Sequence, residues 1–131
     1  MEDSFRLEII SPEKTIFSDD VKMTTLPSYE GDMSILKNHI SIITFLRPGL
    51  IKVKKKDEKF DDFFVEDGTI EYFDNSLSVL STSATNIKDL SREYLDKLTK
   101  DAKEKLDKKE ITDHERYILN HKLEVIKEIK I

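Results

Sequence analysis

Apolar and polar residues alternate one by one through most of the first 82 positions. Phe5, Leu7 and Ile9 alternate with Arg6 and Glu8, Val21, Met23 and Thr25 with Lys22 and Thr24, Ile70 and Tyr72 with Glu71, and Leu77 and Val79 with Ser78. Side chains of a strand point to opposite faces in turn, so this pattern predicts strands with one wet face. Thr15 to Ser18, Met33 to Leu36, Ile42 to Arg47, Leu50 to Lys55 and Phe60 to Val65 are further strand candidates. Together they make about eight to ten short strands with turn signals every 8 to 12 residues or so, the spacing of a sandwich or barrel.

The reversals carry their own chemistry. Pro48-Gly49 predicts a type II turn between Ile42 to Arg47 and Leu50 to Lys55, with proline fixing the first central φ and glycine supplying a positive second one. Asp74-Asn75-Ser76 and Glu66-Asp67-Gly68 predict two more reversals. Short connections of this kind favour antiparallel neighbours.

From about Lys88 the apolar spacing becomes helical. Leu90, Tyr94 with Leu95, Leu98, Ala102 and Leu106 predict a helix of about 20 residues, some 30 Å long. Thr112-x-x-Glu115 is a capping-box pattern that opens a second helix with its stripe at Ile118, Leu119, Val125, Ile126 and Ile129. Lys108 to Ile111 is a connection short enough to make the helices antiparallel. The expected fold is an all-β antiparallel sandwich over residues 1–87 followed by a two-helix hairpin over 88–131.

Composition sharpens that division. All three prolines and all three glycines fall at or before residue 68, so the last 63 residues contain neither breaker. Residues 1–87 carry 10 basic and 16 acidic side chains, whereas residues 88–131 carry 12 and 11. A tail so densely charged reads as solvated helices with a narrow apolar seam. With 131 residues the chain can build one modest core. Its net charge of −5 argues against a nucleic-acid partner, and the basic run Lys52 to Lys59 reads as a solvated strand end and turn.

No cysteine is present, which excludes disulfides and thiolate chemistry. No run approaches the roughly 18 apolar residues of a membrane span. The acidic start MEDSF lacks the basic and apolar regions of a signal peptide. No G-x-S-x-G, P-loop or G-x-G-x-x-G pattern occurs, so no catalytic residue is assigned and no cofactor is expected. His114 and His121 are seven apart, about 10 Å along a helix axis, too far to ligate one metal ion.

The segment EGDMSILKNHISIITFLRPGLIKV sets Glu30-Gly31-Asp32, Ile35-Leu36 and His39 ahead of a short apolar strand and Pro48-Gly49. In this order the chain resembles the epsilon subunit of the F-type ATP synthase, from about Phe5 to the C-terminus. The resemblance implies a noncatalytic rotor part at the cytoplasmic face of the bacterial inner membrane, with the membrane reached only through partners. Those partners are the gamma subunit, the c-ring and, when the hairpin extends, the catalytic beta subunit. It implies that the sandwich links gamma to the ring and so couples proton flow to ATP synthesis. Glu30, Asp32 and His39 are the implied c-ring contacts, although Lys37-Asn38 stands where the family usually has Pro-Gly before the histidine.

In that family the hairpin can also inhibit ATP hydrolysis through its cations. The corresponding residues are Arg116, Lys122, Lys127 and Lys130 on the second helix, with Lys97, Lys100, Lys103 and Lys108 on the first. An ATP-binding pattern of some members aligns with Leu90 to Leu95, where only the displaced Arg92 offers a cation, so weak or no ATP binding is expected. The face that meets gamma is left open by the alternation, with Phe63, Tyr72 and Phe73 eligible for either core or interface. The competing reading is a generic β-sandwich interaction module with a helical docking hairpin.

Overall fold

In the computed structural model, which describes residues 3–129, nine strands precede two helices. The strands are β1 (Phe5–Ile10), β2 (Thr15–Ser28), β3 (Gly31–Ile35), β4 (Ile42–Leu46), β5 (Gly49–Lys55), β6 (Phe60–Val65), β7 (Gly68–Phe73), β8 (Ser76–Leu80) and β9 (Thr85–Asn86). A single 3₁₀ turn, Ile87–Asp89, leads to α1 (Arg92–Leu106) and α2 (Asp113–Glu128). The chain divides between Asn86 and Ile87 into two compact units.

The strands pair in the order β1-β8-β7-β4-β2-β5-β6-β9, with β3 added to β2 and β1 also paired to β2. Thr15–Ser28, expected as two strands, is one long strand that serves both layers. Its first half pairs with β1, from Thr15 opposite Ile10 to Val21 opposite Phe5. Its second half pairs with β3 and β5, and the register shifts between Val21 and Met23. A shift of this kind bends a strand, which is how one strand turns the corner between packed sheets. Every pairing is antiparallel except β1 with β8.

The alternation places the core as read in β1, β7 and β8 but not in β2, where the register shift after Val21 turns Thr24 inward and leaves Met23 and Thr25 half-buried. Phe5, Leu7 and Ile9 of β1, Ile70 and Tyr72 of β7, and Leu77 and Val79 of β8 are all buried and pack with Val21, Leu26, Ile35, Leu46, Ile51, Val53 and Phe63. Aromatic edges lock this cluster, with Phe5 against Tyr72 at 5.8 Å and Phe17 against Phe63 at 5.7 Å between ring centroids. Asp74 and Asn75 have φ of 47° and 60°, the paired positive values of a type I′ turn, and they close the β7–β8 hairpin.

Two reversals differ from expectation. β4 and β5 are not neighbours, because β4 pairs with β7 and β5 with β2 and β6, so Arg47-Pro48 crosses between layers. Gly49 has no positive φ; a methyl group there would stand 2.5 Å from Pro27 Cβ, so glycine is demanded by space and not by backbone conformation. Glu66-Asp67 likewise crosses, from β6 to β7, and Gly68 (φ 155°) packs where an added Cβ would meet the Leu80 carbonyl oxygen at 2.6 Å.

The helical unit starts later than the periodicity suggests. Ser91 caps α1 by accepting the Tyr94 amide at 3.0 Å, so the helix runs 15 residues from Arg92, and Lys108 falls beyond its end. At α2 the Thr112 hydroxyl accepts the Glu115 amide at 3.1 Å and donates to Glu115 Oε1 at 3.0 Å, which realises the capping pattern. Leu95 and Ala102 of α1 and Val125 and Ile126 of α2 are buried.

Two predictions follow from these contacts. Gly49→Ala overpacks the Pro27 contact and should cost about 1 to 3 kcal/mol, read as a lower denaturation midpoint at unchanged slope. A midpoint equal to that of the parent would contradict the close approach. Asp62 has a buried Oδ1 without a hydrogen-bond partner, and burial raises its pKa despite the nearby Lys52. A raised carboxylate pKa means that stability is highest below the ordinary aspartate range and falls as pH rises through the folded-state value. Asp62→Asn should therefore raise the melting temperature at pH 7, with the gain vanishing in acid; a gain that grows in acid would have the wrong sign.

Candidate functional site

The outer face of the β1-β8-β7-β4 layer breaks the wet-face rule. Alternation points Ile43 and Phe45 of β4 to solvent, and they are 75% and 57% exposed. The register places Phe45 opposite Thr69, Thr69 opposite Leu80, and Leu80 opposite Ile10, so one row of the sheet runs Phe45, Thr69, Leu80, Ile10. Tyr29 joins its end, with its ring 6.4 Å from Phe45 and its amide donating to the Phe45 carbonyl at 3.2 Å. These residues line a groove of about 670 Å³ together with Pro12 and Ser81. The next row, Ile43, Glu71, Ser78 and Glu8, is mostly polar. The signal was present in the sequence, because Ile-Ile-Thr-Phe-Leu in β4 is apolar at both parities. Of the three aromatic residues left open, Phe63 and Tyr72 belong to the core and Phe73 is 65% exposed on the outer face.

Glu30 and Asp32 sit at one end of β3. Ser28 opposite Gly31 leaves Tyr29 and Glu30 as the two-residue β2–β3 turn, and the Ser28 hydroxyl donates to the Gly31 carbonyl at 2.5 Å. Glu30 is exposed, and Asp32 lies 3.9 Å from the Arg47 guanidinium with its side chain mostly in solvent. Arg47 is held in turn by its amide, which donates to the Pro27 carbonyl at 2.9 Å. Arg47 is largely buried but the contact is long and the Asp32 carboxylate is open to water, so the pair holds Asp32 only loosely and leaves both carboxylates available for a partner.

His39 lies at the other end of β3, in the connection to β4. All five residues of β3, about 16 Å at the usual rise, lie between Glu30 and that connection, and Asp32 is the second of them. The structure therefore does not bring His39 together with Glu30 and Asp32. Asn38 adopts φ 66°, a conformation that asparagine tolerates better than most residues after glycine. The His39 amide donates to the Leu36 carbonyl at 3.1 Å, and its ring stands edge-on to Tyr72 at 5.6 Å. Tyr72 donates its hydroxyl to Asn75 Oδ1 at 3.0 Å, and burial raises its pKa. Ile40, 78% exposed, and Phe73 border the same surface, together with Ser41 and Asp74.

On the helical unit, Arg92 is the first residue of α1 and exposed, beside a cap made by Ser91. Arg116 and Lys127 are exposed on α2, and their 11-residue spacing puts them about 20° apart around the helix. Lys122, half-buried, stands about 120° or more from both. Lys130 lies outside the described residues. Lys97, Lys100 and Lys103 are exposed along α1.

Residues 4–87 match the family model of the ATP synthase Delta/Epsilon chain beta-sandwich domain. Over 97% of its length the chain is 43% identical to the ATP synthase epsilon chain of Pelagibacter ubique, covering 98% of that protein. This chain belongs to the ATP synthase epsilon chain family. A second epsilon chain, from Rhizobium johnstonii, is 28% identical over 87% of this chain and 84% of its own. The fold also recurs in solved structures. A chain in the Euglena gracilis mitochondrial ATP synthase, solved as OSCP/F1/c-ring, superposes with a TM-score of 0.74 at 20% identity, over 97% of this chain and 79% of that one. A chain of the Tetrahymena thermophila mitochondrial ATP synthase central stalk and c-ring gives 0.61 at 14% identity, covering 93% and 92%. No helix of this epsilon chain, among the described residues, is long and apolar enough to cross a membrane.

Proposed function

We propose that this epsilon chain is a noncatalytic rotor subunit that fastens gamma to the c-ring, so that proton-driven rotation of the ring turns gamma. The observation that carries this reading is the apolar row on the outer face of β4, Tyr29, Phe45 and Leu80 with Ile43 beside it. An exposed cluster of large apolar side chains costs free energy in water until a partner covers it. We assign that face to gamma. The Glu30 and Asp32 turn, polar and open, suits the polar loops of a c-ring. His39, separated by the length of β3 and bordered by exposed Ile40 and Phe73, forms a second contact, and its apolar neighbours favour gamma there as well. The complex places the chain at the cytoplasmic face of the bacterial inner membrane, held through its partners.

The hairpin regulates in this proposal. Arg116 and Lys127, sharing one face of α2, with Lys122 and Lys130, meet the catalytic beta subunit when the hairpin extends and restrain ATP hydrolysis. Isolated exposed ion pairs are worth only about 0.2 to 1 kcal/mol each, so the restraint is modest and additive. Arg92, without an acidic companion at position 91, does not make an ATP site.

Copurification tests the docking face. Phe45→Glu in the full chain should abolish near-stoichiometric association with gamma while leaving the melting temperature within a few degrees, since the side chain is exposed. Undiminished association would remove the assignment, and a stable oligomer of the chain alone would favour a generic interaction module. For the hairpin, Arg116→Ala/Lys122→Ala/Lys127→Ala should raise ATP hydrolysis by reassembled F1 by about threefold to a hundredfold, the sum of three ion pairs at about 0.2 to 1 kcal/mol each. Equal hydrolysis at every ADP to ATP ratio would end the regulatory reading.

A further inference from the structure

Two turns remote in sequence are fastened side by side at the His39 end of β3. The Asn38 amide donates to Asn75 Oδ1 at 2.7 Å, and Asn75 Nδ2 donates back to Asn38 Oδ1 at 3.2 Å. The same Asn75 oxygen accepts the Tyr72 hydroxyl at 3.0 Å. Both asparagines are left-handed, at φ 66° and 60°, where a side chain other than glycine's needs compensating contacts. Each supplies them to the other. Asn75 itself is set by the type I′ turn, whose strands are fully paired, so the ordering runs from the β7–β8 hairpin to the looser connection between β3 and β4.

The latch bears directly on His39. Its Nδ1 lies 2.7 Å from the Ile40 carbonyl oxygen, which can only accept, so Nδ1 carries the proton and Nε2 of the neutral ring is left as an acceptor. The ring is fixed from a second side by its edge contact with Tyr72.

We infer that Asn75 is a positioning residue, whose carboxamide holds Asn38 left-handed and thereby sets His39 with an acceptor nitrogen beside exposed Ile40 and Phe73. The partner group that meets His39 is therefore a hydrogen-bond donor with apolar carbon to pack on Ile40 and Phe73, set beside the Asp74 carboxylate. This rests on the reading of His39 as a contact residue. Without the latch the loop samples other conformations, and binding must first select the competent one.

Nitrogen-15 NMR of the full chain, free in solution, tests the latch by itself. In the parent, the Asn38 amide should exchange slowly and His39 should show one tautomer with Nδ1 protonated. Asn75→Ala should speed Asn38 exchange by about tenfold or more and mix the His39 tautomers. Asn75→Asp, which keeps the acceptor for both Asn38 and Tyr72, should keep the amide slow. Unchanged exchange and tautomer in Asn75→Ala would overturn the latch. Affinity for F1 lacking this subunit tests the contact: Asn75→Ala should bind about tenfold more weakly, and adding Asn38→Gly, which accepts φ 66° unaided, should recover part of the loss. If the NMR changes appear but Asn75→Ala and His39→Ala both bind like the parent, the contact role of His39 is overturned and the latch stands alone.

Discussion

The sandwich depends on β2 belonging to both of its layers. One continuous strand from Thr15 to Ser28 pairs first with β1 and then with β3 and β5, and the register shift between Val21 and Met23 lets it turn between them. Pro27, near its end, rests on Gly49 at the head of β5, where no other side chain fits. This one strand therefore fixes the spacing of the layers, the corner made by Arg47-Pro48, and the position of the β2–β3 turn. A block built in this way resists shear, because sliding one layer over the other would require breaking pairings along the same strand.

That rigidity gives the outer face its meaning. With β4 locked against β7, the parity of its side chains cannot slip, and Ile43 and Phe45 stay in solvent. A monomer would gain by burying them; the fold holds them out. The polar Glu30 and Asp32 turn lies next to the Tyr29 end of this face, and the His39 surface lies beyond the other end of β3. Two kinds of contact surface, one apolar and broad, one acidic and open, suit the proposed link between two different partners.

Much of the architecture was legible in the chain. Alternation identified the buried residues of β1, β7 and β8, the Asp74-Asn75 pair marked its hairpin, and Thr112 marked the start of α2. The failures share a cause, which is that pairing between distant strands leaves no local trace. The pair Asp19-Asp20 interrupts the apolar pattern and made β2 look like two strands, whereas Asp20 lies opposite Arg6, which stands 3.8 Å away. Pro48-Gly49 looked like a turn because glycine was credited with φ, when the constraint was the room beside Pro27. Glu30, Asp32 and His39 were grouped by resemblance alone, and the run of β3 between Glu30 and His39, which sets them at opposite ends of a strand, could not be read from their closeness in sequence. The latch was invisible for the same reason: Asn38 and Asn75 are 37 residues apart.

The central claim is that a partner covers the outer face of β4 in the assembled synthase. The absence of native cysteine makes this directly measurable, since Phe45→Cys introduces a single thiol whose labelling rate can be followed in the free chain and in the reassembled complex. The account predicts fast labelling when free and labelling slowed by at least about tenfold on assembly, as expected for a group buried within an interface core. Equal rates in the two states would contradict it.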